Sequence, residues 1–223
     1  NQAVNTVTVQ SLSDQGTKQV YLPDGSMAHL YYNSRVIYPK DFRENHRNVR
    51  IRKGEVYFDV ERNPERPFVI SARDARIEVL GTSFNVNTNF PDQKVEVYVQ
   101  SGKVKLSREN EPGKYLILEP GYKGILTPSS LKKVKNTDNN YIAWTTGKLT
   151  FKDQPLEQVL QTLMRTYHVD IQTEDASIKN YKITTHFTQE PIDTVLAVIA
   201  TTFNLQVTQR QNDTYVLRTD GKQ

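Results

Sequence analysis

Four histidines, one glycine-containing turn and scattered carboxylates are the groups of this chain whose types could serve catalysis or metal binding. The histidines are His29, His46, His168 and His186. They lie far apart, and none belongs to a metal-ligand spacing such as H-E-x-x-H. The Asp and Glu residues show no pairing that would identify an acid and a base. The sequence therefore predicts no metal site and no catalytic pair.

The turn Gly81-Thr82-Ser83-Phe84-Asn85 superficially resembles the nucleophile elbow of hydrolases. In an elbow, glycine stands on both sides of the serine, and the turn leads from a strand into a helix. Here Asn85 replaces the second glycine, and no helical pattern follows. Cysteine is absent, which excludes disulfides, cysteine-based zinc sites and a thiol nucleophile. We expect neither enzyme activity nor a cofactor.

The composition is that of a soluble chain, with 24% charged and 36% hydrophobic residues among 223. No apolar run approaches the roughly 18 residues of a membrane span. The net charge is +4, but acidic residues interrupt the densest basic stretch, which comprises Arg43, Arg47, Arg50, Arg52 and Lys53. A solvated face is therefore favoured over a nucleic-acid interface.

The first part of the chain, residues 7–135, shows the alternation of apolar and polar residues that is typical of strands. The clearest segments are Val49–Ile51, Val56–Val60, Ile77–Val79, Phe84–Val86, Val95–Val99 and Val104–Leu106. A period of two with one apolar face indicates antiparallel sheets that are buried on one side. Turn signals between the segments are spaced as in a sandwich or barrel. We predict an all-β sandwich of the jelly-roll type, with a solenoid-like stacking of the same strands as the alternative.

The end of the chain contains a duplication. Residues 151–171 and 187–207 are two copies of one pattern, displaced by 36 positions, so that Pro155 recurs as Pro191. Proline is favoured at the first helical position, where we place Pro155 and Pro191, and apolar residues follow it at helical spacing in both copies. Each copy therefore reads as strand, helix, strand. We predict a small α+β domain of two βαβ repeats, which suits a docking module better than an enzyme.

Seven short motifs of the β-rich region occur in a fixed order. They are Leu22-Pro23-Asp24-Gly25-Ser26, Asn33-Ser34-Arg35, Tyr38-Pro39-Lys40-Asp41-Phe42, Gly54-Glu55-Val56-Tyr57-Phe58-Asp59-Val60, Pro67-Phe68-Val69-Ile70, Gly81-Thr82-Ser83-Phe84-Asn85-Val86 and Gly102-Lys103-Val104. They resemble the FecR domain of periplasmic iron-transport sensors. The tail resembles the domain that follows FecR in anti-sigma factors of the Bacteroidetes type, and it is similar to the STN module of secretins and TonB-dependent receptors.

The resemblance implies a FecR-family anti-sigma factor of which this chain is the periplasmic sensor part. It implies binding to the N-terminal signalling extension of a TonB-dependent outer-membrane transporter. It also implies relay of the signal to an extracytoplasmic-function sigma factor through a cytoplasmic region outside this chain. The protein would be anchored in the inner membrane by a helix outside this chain, and it would bind no nucleic acid directly.

Pattern and resemblance together predict four segments. Residues 1–17 are a post-membrane segment, 18–128 a FecR-like β domain, 129–146 a linker and 147–219 an STN-like duplicated βαβ domain. Because the chain begins with Asn1 rather than Met, we expect it to be part of a longer protein.

Strand edges of the duplicated domain are the candidate partner-binding site, because an edge strand can pair with a strand of a partner. The candidate residues are Lys148, Thr150, Lys182, Thr184 and His186. Ordinary pairing within the domain is an equally open interpretation of these strands. The alternative function is a carbohydrate-binding or hydrolytic β-sandwich, which predicts a concave cluster of aromatic residues beside carboxylates.

Overall fold

The chain folds as two units, residues 1–137 and 138–223. The structure is a computed structural model that describes residues 5–42, 47–211 and 213–220. Arg43 and His46, which belong to the sequence predictions above, lie outside the described residues. Strands dominate the described chain, as the sequence predicted. No helix in those ranges combines the length and the hydrophobicity needed to span a bilayer.

The first unit consists of β-strands. Its described strands are β1 (Thr6–Gln10), β2 (Lys18–Tyr21), β3 (Met27–Leu30), β4 (Arg35–Pro39), β5 (Arg47–Lys53), β6 (Glu55–Asp59), β7 (Phe68–Ala72), β8 (Ala75–Val79), β9 (Ser83–Asn87), β10 (Val95–Ser101), β11 (Val104–Arg108), β12 (Glu111–Leu118), β13 (Tyr122–Thr127) and β14 (Ser130–Lys135). Each of the six alternating segments of the sequence overlaps one of these strands. Successive side chains of a strand point to opposite faces, so the alternation separates a buried face from a wet one.

The strands form two sheets whose order follows the sequence. Sheet A has the order β1-β4-β5-β7-β8-β11-β12, and sheet B has the order β2-β3-β6-β9-β10-β13-β14. A jelly roll would place strands that are distant in sequence side by side, as its Greek keys require. The jelly-roll prediction is therefore wrong for the strand order. The observed order agrees with the solenoid-like alternative. The chain crosses between the sheets after one or two strands, and each new strand joins the growing end of its sheet.

One hydrophobic core lies between sheets A and B. Ile51 and Ile70 of sheet A and Phe58 and Phe84 of sheet B belong to a single buried cluster. The rings of Phe58 and Phe84 stack with centroids 5.5 Å apart. Full burial of such a side chain contributes about 1.5–3 kcal/mol. The side chains that face inward from sheets A and B pack in the core, so only the outward faces are available for recognition.

The predicted linker over 129–146 is largely structured. Strand β14 pairs antiparallel with β13, and a short helix, α1, spans Ala143–Thr146. The linker prediction is wrong for these residues, because Leu131 packs against the core of the unit while Lys132 and Lys133 are exposed. Lysines are common on edge strands, where they discourage unwanted pairing. Their polarity made this edge strand look like a linker.

The second unit contains the duplication. After α1 follow β15 (Lys148–Pro155), α2 (Leu156–Tyr167), β16 (Asp170–Thr173), a 3-10 helix (Ala176–Asn180), β17 (Lys182–Thr188), α3 (Ile192–Phe203), β18 (Leu205–Arg210) and β19 (Thr214–Thr219). Each copy of the repeat has the predicted order of strand, helix and strand. Pro155 and Pro191 stand at the N-caps, one residue before the first helical residue.

The two strands of each copy belong to different sheets. Strands β15 and β17 form the two-stranded sheet C, and β16, β19 and β18 form sheet D in that order. A βαβ unit joins two parallel strands of the same sheet. The βαβ prediction therefore describes the order of the elements but is wrong for the strand pairing. The first strands of the copies pair with each other, and the second strands both pair with β19.

The matching residues of the two copies are core residues. The buried residues of α2 are Leu156, Val159, Leu160 and Leu163, and those of α3 are Val195, Leu196, Ile199 and Ala200. They pack in one cluster with Leu149, Phe151 and Phe187 of sheet C. The helices therefore cover one face of sheet C and leave its other face for contact with a partner.

Candidate partner-binding site

Sheet C pairs the two copies of the repeat symmetrically. Thr150 of β15 lies opposite His186 of β17, and these positions are 36 residues apart, as are the copies themselves. Exchanging the copies therefore maps this pair onto itself. The inner edges of both strands are used within the unit, so a partner strand could reach only the outer edges.

All five predicted site residues lie on sheet C and are exposed. They are Lys148 and Thr150 on β15, and Lys182, Thr184 and His186 on β17. The structure thus brings together residues that are up to 38 positions apart in the sequence. The side chains of two of the five, Lys182 and Thr184, already have partners inside the unit.

Lys182 and Thr184 hold a bulge in β15. The register of the two strands shifts between Phe151 and Gln154. Within the bulge, the Asp153 backbone N–H donates to Thr184 Oγ1 at 2.9 Å, and Lys182 Nζ lies 2.8 Å from Asp153 Oδ2. Asp153 has a φ of 48°, a left-handed conformation in which Asp is enriched. These contacts make Lys182 and Thr184 supports of sheet C.

The outer edge of β15 is covered by the side chain of Asn140. The backbone N–H of Thr150 donates to Asn140 Oδ1 at 2.8 Å, and Asn140 Nδ2 donates to the Thr150 carbonyl at 3.0 Å. The amide thus takes the place that a neighbouring strand would occupy. Asn140 lies in the predicted linker, where the sequence carries no signal of this pairing.

The outer edge of β17 is open. Because the Thr150 backbone groups point away from β17, Thr150 and His186 form a non-hydrogen-bonded pair of the antiparallel ladder. In such a pair both residues direct their N–H and C=O groups outward. Lys148 and Thr188 lie two residues along the ladder and have the same orientation. His186 and Thr188 therefore present backbone donors and acceptors along an edge without a neighbouring strand in the described chain.

Two tyrosines anchor the segment that follows β17. Tyr167 Oη donates to the Glu190 carbonyl at 2.7 Å, and Tyr215 Oη donates to Asp193 Oδ1 at 2.9 Å. Burial raises the pKa of Tyr167, and burial with the Asp193 hydrogen bond raises the pKa of Tyr215 to about 12. Both phenols therefore remain protonated donors at neutral pH. A fixed scaffold limits the entropy lost when a partner binds.

The groups considered for catalysis are dispersed in the structure. His29 lies in β3, where burial lowers its pKa, and His168 is the C-cap of α2. Ser83 of the elbow-like turn donates to Asp59 Oδ1 at 2.7 Å and begins a strand. Within the described ranges no group of three or more His, Cys, Asp or Glu side chains is placed to hold a metal ion.

The basic stretch is divided between the core and the surface. Arg47 is 1% exposed and lies 2.9 Å from Asp24 Oδ2, whereas Arg50 and Arg52 are exposed on the outer face of β5. The buried ion pair removes the centre of the stretch from the surface. This arrangement favours a solvated face over a continuous phosphate-binding surface.

The most exposed tyrosines of the first unit are far from forming an aromatic cluster. Tyr21 lies on β2 at one edge of sheet B, and Tyr115 lies on β12 at an edge of sheet A. A sugar-binding face would need such rings side by side on one surface. The geometry therefore favours the partner-binding hypothesis over the carbohydrate-binding alternative.

Comparisons with known proteins identify the family. The profile of the FecR protein matches residues 8–105, and the profile of the FecR C-terminal region matches residues 148–217. The chain belongs to the FecR family. The candidate site on sheet C lies within the matched FecR C-terminal region, which begins at the first residue of β15.

Two solved structures are similar to this FecR-family chain. Two crystal structures of a candidate anti-sigma factor from Parabacteroides distasonis ATCC 8503 are similar, each with 26% identity and a TM-score of 0.63. The matches cover 97% and 96% of this chain and 100% of those chains. No curated protein is significantly similar in sequence. The family and these neighbours support a regulatory role of the anti-sigma type.

Proposed function

We propose that this FecR-family chain is the periplasmic sensor part of a transmembrane anti-sigma factor. In this proposal its second unit, an STN-like module, binds the N-terminal signalling extension of a TonB-dependent outer-membrane transporter. The signal passes to an extracytoplasmic-function sigma factor through a cytoplasmic region outside this chain, and a helix outside this chain anchors the protein in the inner membrane. The family match and the similar anti-sigma structures support this role, which requires no catalytic group.

The open outer edge of β17 is the observation that carries the binding proposal. A strand of the transporter extension placed along this edge would form main-chain hydrogen bonds with His186 and Thr188. The side chains of Thr184, His186 and Thr188 are exposed at alternate positions and would supply selectivity. The corresponding edge of β15 lacks this capacity, because Asn140 already satisfies Thr150.

The proposal is tested by proline substitutions at the two symmetry-related positions. Proline removes an N–H group, and it is tolerated on an edge strand where that N–H faces solvent. We expect His186→Pro to weaken binding of the purified transporter extension by about tenfold or more, measured by titration calorimetry. Thr150→Pro is the control on the other strand: it also removes the hydrogen bond to Asn140 Oδ1, but it should change the affinity by less than about twofold, because the partner strand does not use the β15 edge.

Two results would contradict the proposal, provided that circular dichroism shows folded variants. Equal affinity of the His186→Pro variant and the unsubstituted chain would exclude the β17 edge as the binding site. Absence of any binding between the unsubstituted chain and the N-terminal extension of its cognate TonB-dependent transporter would exclude the proposed partner.

A further inference from the structure

A second surface with the features of a binding site lies on the first unit, at the β12 end of sheet A. It is a groove of about 520 Å³ that is open to solvent. Its lining comes from the ends of β8, β11 and β12, from the turns that precede β9 and β11, and from the loop that precedes β7. It belongs to a different unit from sheet C and shares no residue with the site proposed above.

Two sequence motifs that the proposed function leaves unused meet at this groove. A Cβ atom on Gly102, whose φ is 76°, would lie 2.7 Å from the Gly81 carbonyl oxygen, and one on Gly81 would lie 2.6 Å from the Arg62 Cα. Thr82 Oγ1 also donates to the Lys103 carbonyl at 3.0 Å. The two glycines therefore allow three backbone segments to approach closely. This packing fixes the chain segments that carry Arg62 and Lys103 at the groove.

The groove has an exposed apolar floor. Leu80 and Ile117 line it and are 43% and 39% exposed, and Tyr115, two residues before Ile117 on the same face of β12, is 51% exposed. Single exposed apolar residues are ordinary on protein surfaces, whereas a contiguous group marks an interaction site. Lys105 lies opposite Ile117 in the sheet, and its ammonium group lies 4.9 Å from the centre of the Tyr115 ring.

The charge around this floor is positive. Of the three cations that line the groove, Lys105 pairs with Glu78 at 3.3 Å, and Glu78 also pairs with Arg76 at 3.2 Å. Arg62 and Lys103 have no salt-bridge partner within the described ranges. The positive charge of Lys103 contributes to lowering the pKa of Glu119, but the two side chains form no ion pair. Arg62 and Lys103, which lie beside the apolar floor, are therefore available to pair with carboxylates of a partner.

We propose that this groove binds an extended acidic polypeptide segment. Its apolar side chains contact Leu80 and Ile117, and its carboxylates pair with Arg62 and Lys103. A polypeptide suits the open shape, because sites for small molecules usually bury most of the ligand surface. Lys133 Nζ donates to the Ile117 carbonyl at 3.0 Å and so occupies the edge of β12. The segment therefore lies across the face of sheet A instead of extending the sheet.

Fluorescence anisotropy of labelled decapeptides with the full 223-residue chain tests the proposal. The probe alternates Asp or Glu with Leu or Val. One control peptide carries Lys in place of the acidic residues, and another carries Ser in place of the apolar residues. We expect the probe alone to bind with a Kd below about 1 mM at low ionic strength, and to bind more weakly as salt screens the charges.

Variants then locate the binding surface. The double variant Arg62→Glu/Lys103→Glu should weaken binding by about tenfold or more, and Ile117→Ser by about threefold or more. All three positions are exposed, so we expect these variants to fold. The matched controls are Lys132→Glu and Tyr21→Ser, which make the same kinds of change on exposed residues of other strands and should bind as the unsubstituted chain does.

Several results would overturn the inference. They are no binding of the probe, equal binding of the acidic peptide that lacks apolar residues, or equal affinity of the groove variants and their controls. Binding of phosphatidylglycerol vesicles, but not of peptides, with the same dependence on Arg62 and Lys103 would assign the groove to a membrane surface and also overturn it. Sheet C variants would change none of these outcomes, so failure here is distinct from failure of the β17 edge.

Discussion

The buried guanidinium of Arg47 joins three segments of the first unit. It donates to Asp24 Oδ2 at 2.9 Å, to the Glu61 carbonyl at 2.9 Å and to the Arg66 carbonyl at 2.7 Å. It also lies 5.6 Å from the centre of the Phe68 ring. A buried charge is tolerated only when it is paired and hydrogen-bonded. Arg47 thereby fixes the turn that precedes β3 and the loop that precedes β7.

Replacement of Arg47 should be far more harmful than replacement of its neighbour Arg50. Arg47→Ala would leave Asp24 without its counter-charge and the carbonyls of Glu61, Asn63 and Arg66 without their donor, so we expect a loss of about 3–5 kcal/mol in the free energy of unfolding. Arg50→Ala alters an exposed side chain on the same strand and should cost less than about 0.5 kcal/mol. Urea denaturation followed by circular dichroism measures both. Similar losses for the two variants would show that Arg47 does not hold these segments of the first unit together.

At the scale of elements, sheet C has one covered edge and one open edge. The two strands derive from equivalent positions of the repeat, and their pairing is symmetric around Thr150 and His186. The symmetry is broken by Asn140, which lies outside the duplicated segments and binds β15 alone. Of the two outer edges of sheet C in the described chain, only that of β17 is therefore available to a partner strand.

Removal of the Asn140 side chain tests this asymmetry. Asn140→Ala should lower the free energy of unfolding by about 1 kcal/mol, because two hydrogen bonds at a partly exposed site are lost. The Thr150 amide should also exchange faster with deuterium, since its acceptor is gone. The neighbouring, exposed Asn139 offers the control variant Asn139→Ala, for which we expect neither effect. An unchanged exchange rate at Thr150 would show that Asn140 does not cover the edge in solution.

The local pattern of apolar and polar residues predicted most strands and helices. It did not predict which strands pair with each other. The alternation in Val95–Val99 and the apolar spacing from Leu156 to Leu163 are set by the geometry of a single strand or helix, so the sequence shows them. Strand order depends on contacts between distant segments, which is why the jelly-roll and βαβ predictions were wrong. Thr150 and His186 look equivalent in the sequence. Only the folded position of Asn140 distinguishes their edges.

At the scale of the whole molecule, each unit presents a surface that could bind a partner. The first unit has an apolar, positively charged groove beside Leu80 and Ile117, and the second has the open edge of β17. The FecR family and the similar anti-sigma structures indicate a protein that works through partners. Two separate surfaces would allow such a protein to engage two polypeptides. The β17 edge is the central claim, because the proposed function rests on it.

Hydrogen–deuterium exchange of single amides tests that claim most directly, with the chain measured alone and with the purified transporter extension. We predict that the amides of His186 and Thr188 exchange at least about tenfold more slowly in the complex, because a partner strand accepts their hydrogen bonds. The amide of Thr150, already bound to Asn140, should keep its rate. Unchanged exchange at His186 and Thr188, with protection confined to β18 or to the groove beside Lys103, would contradict the account.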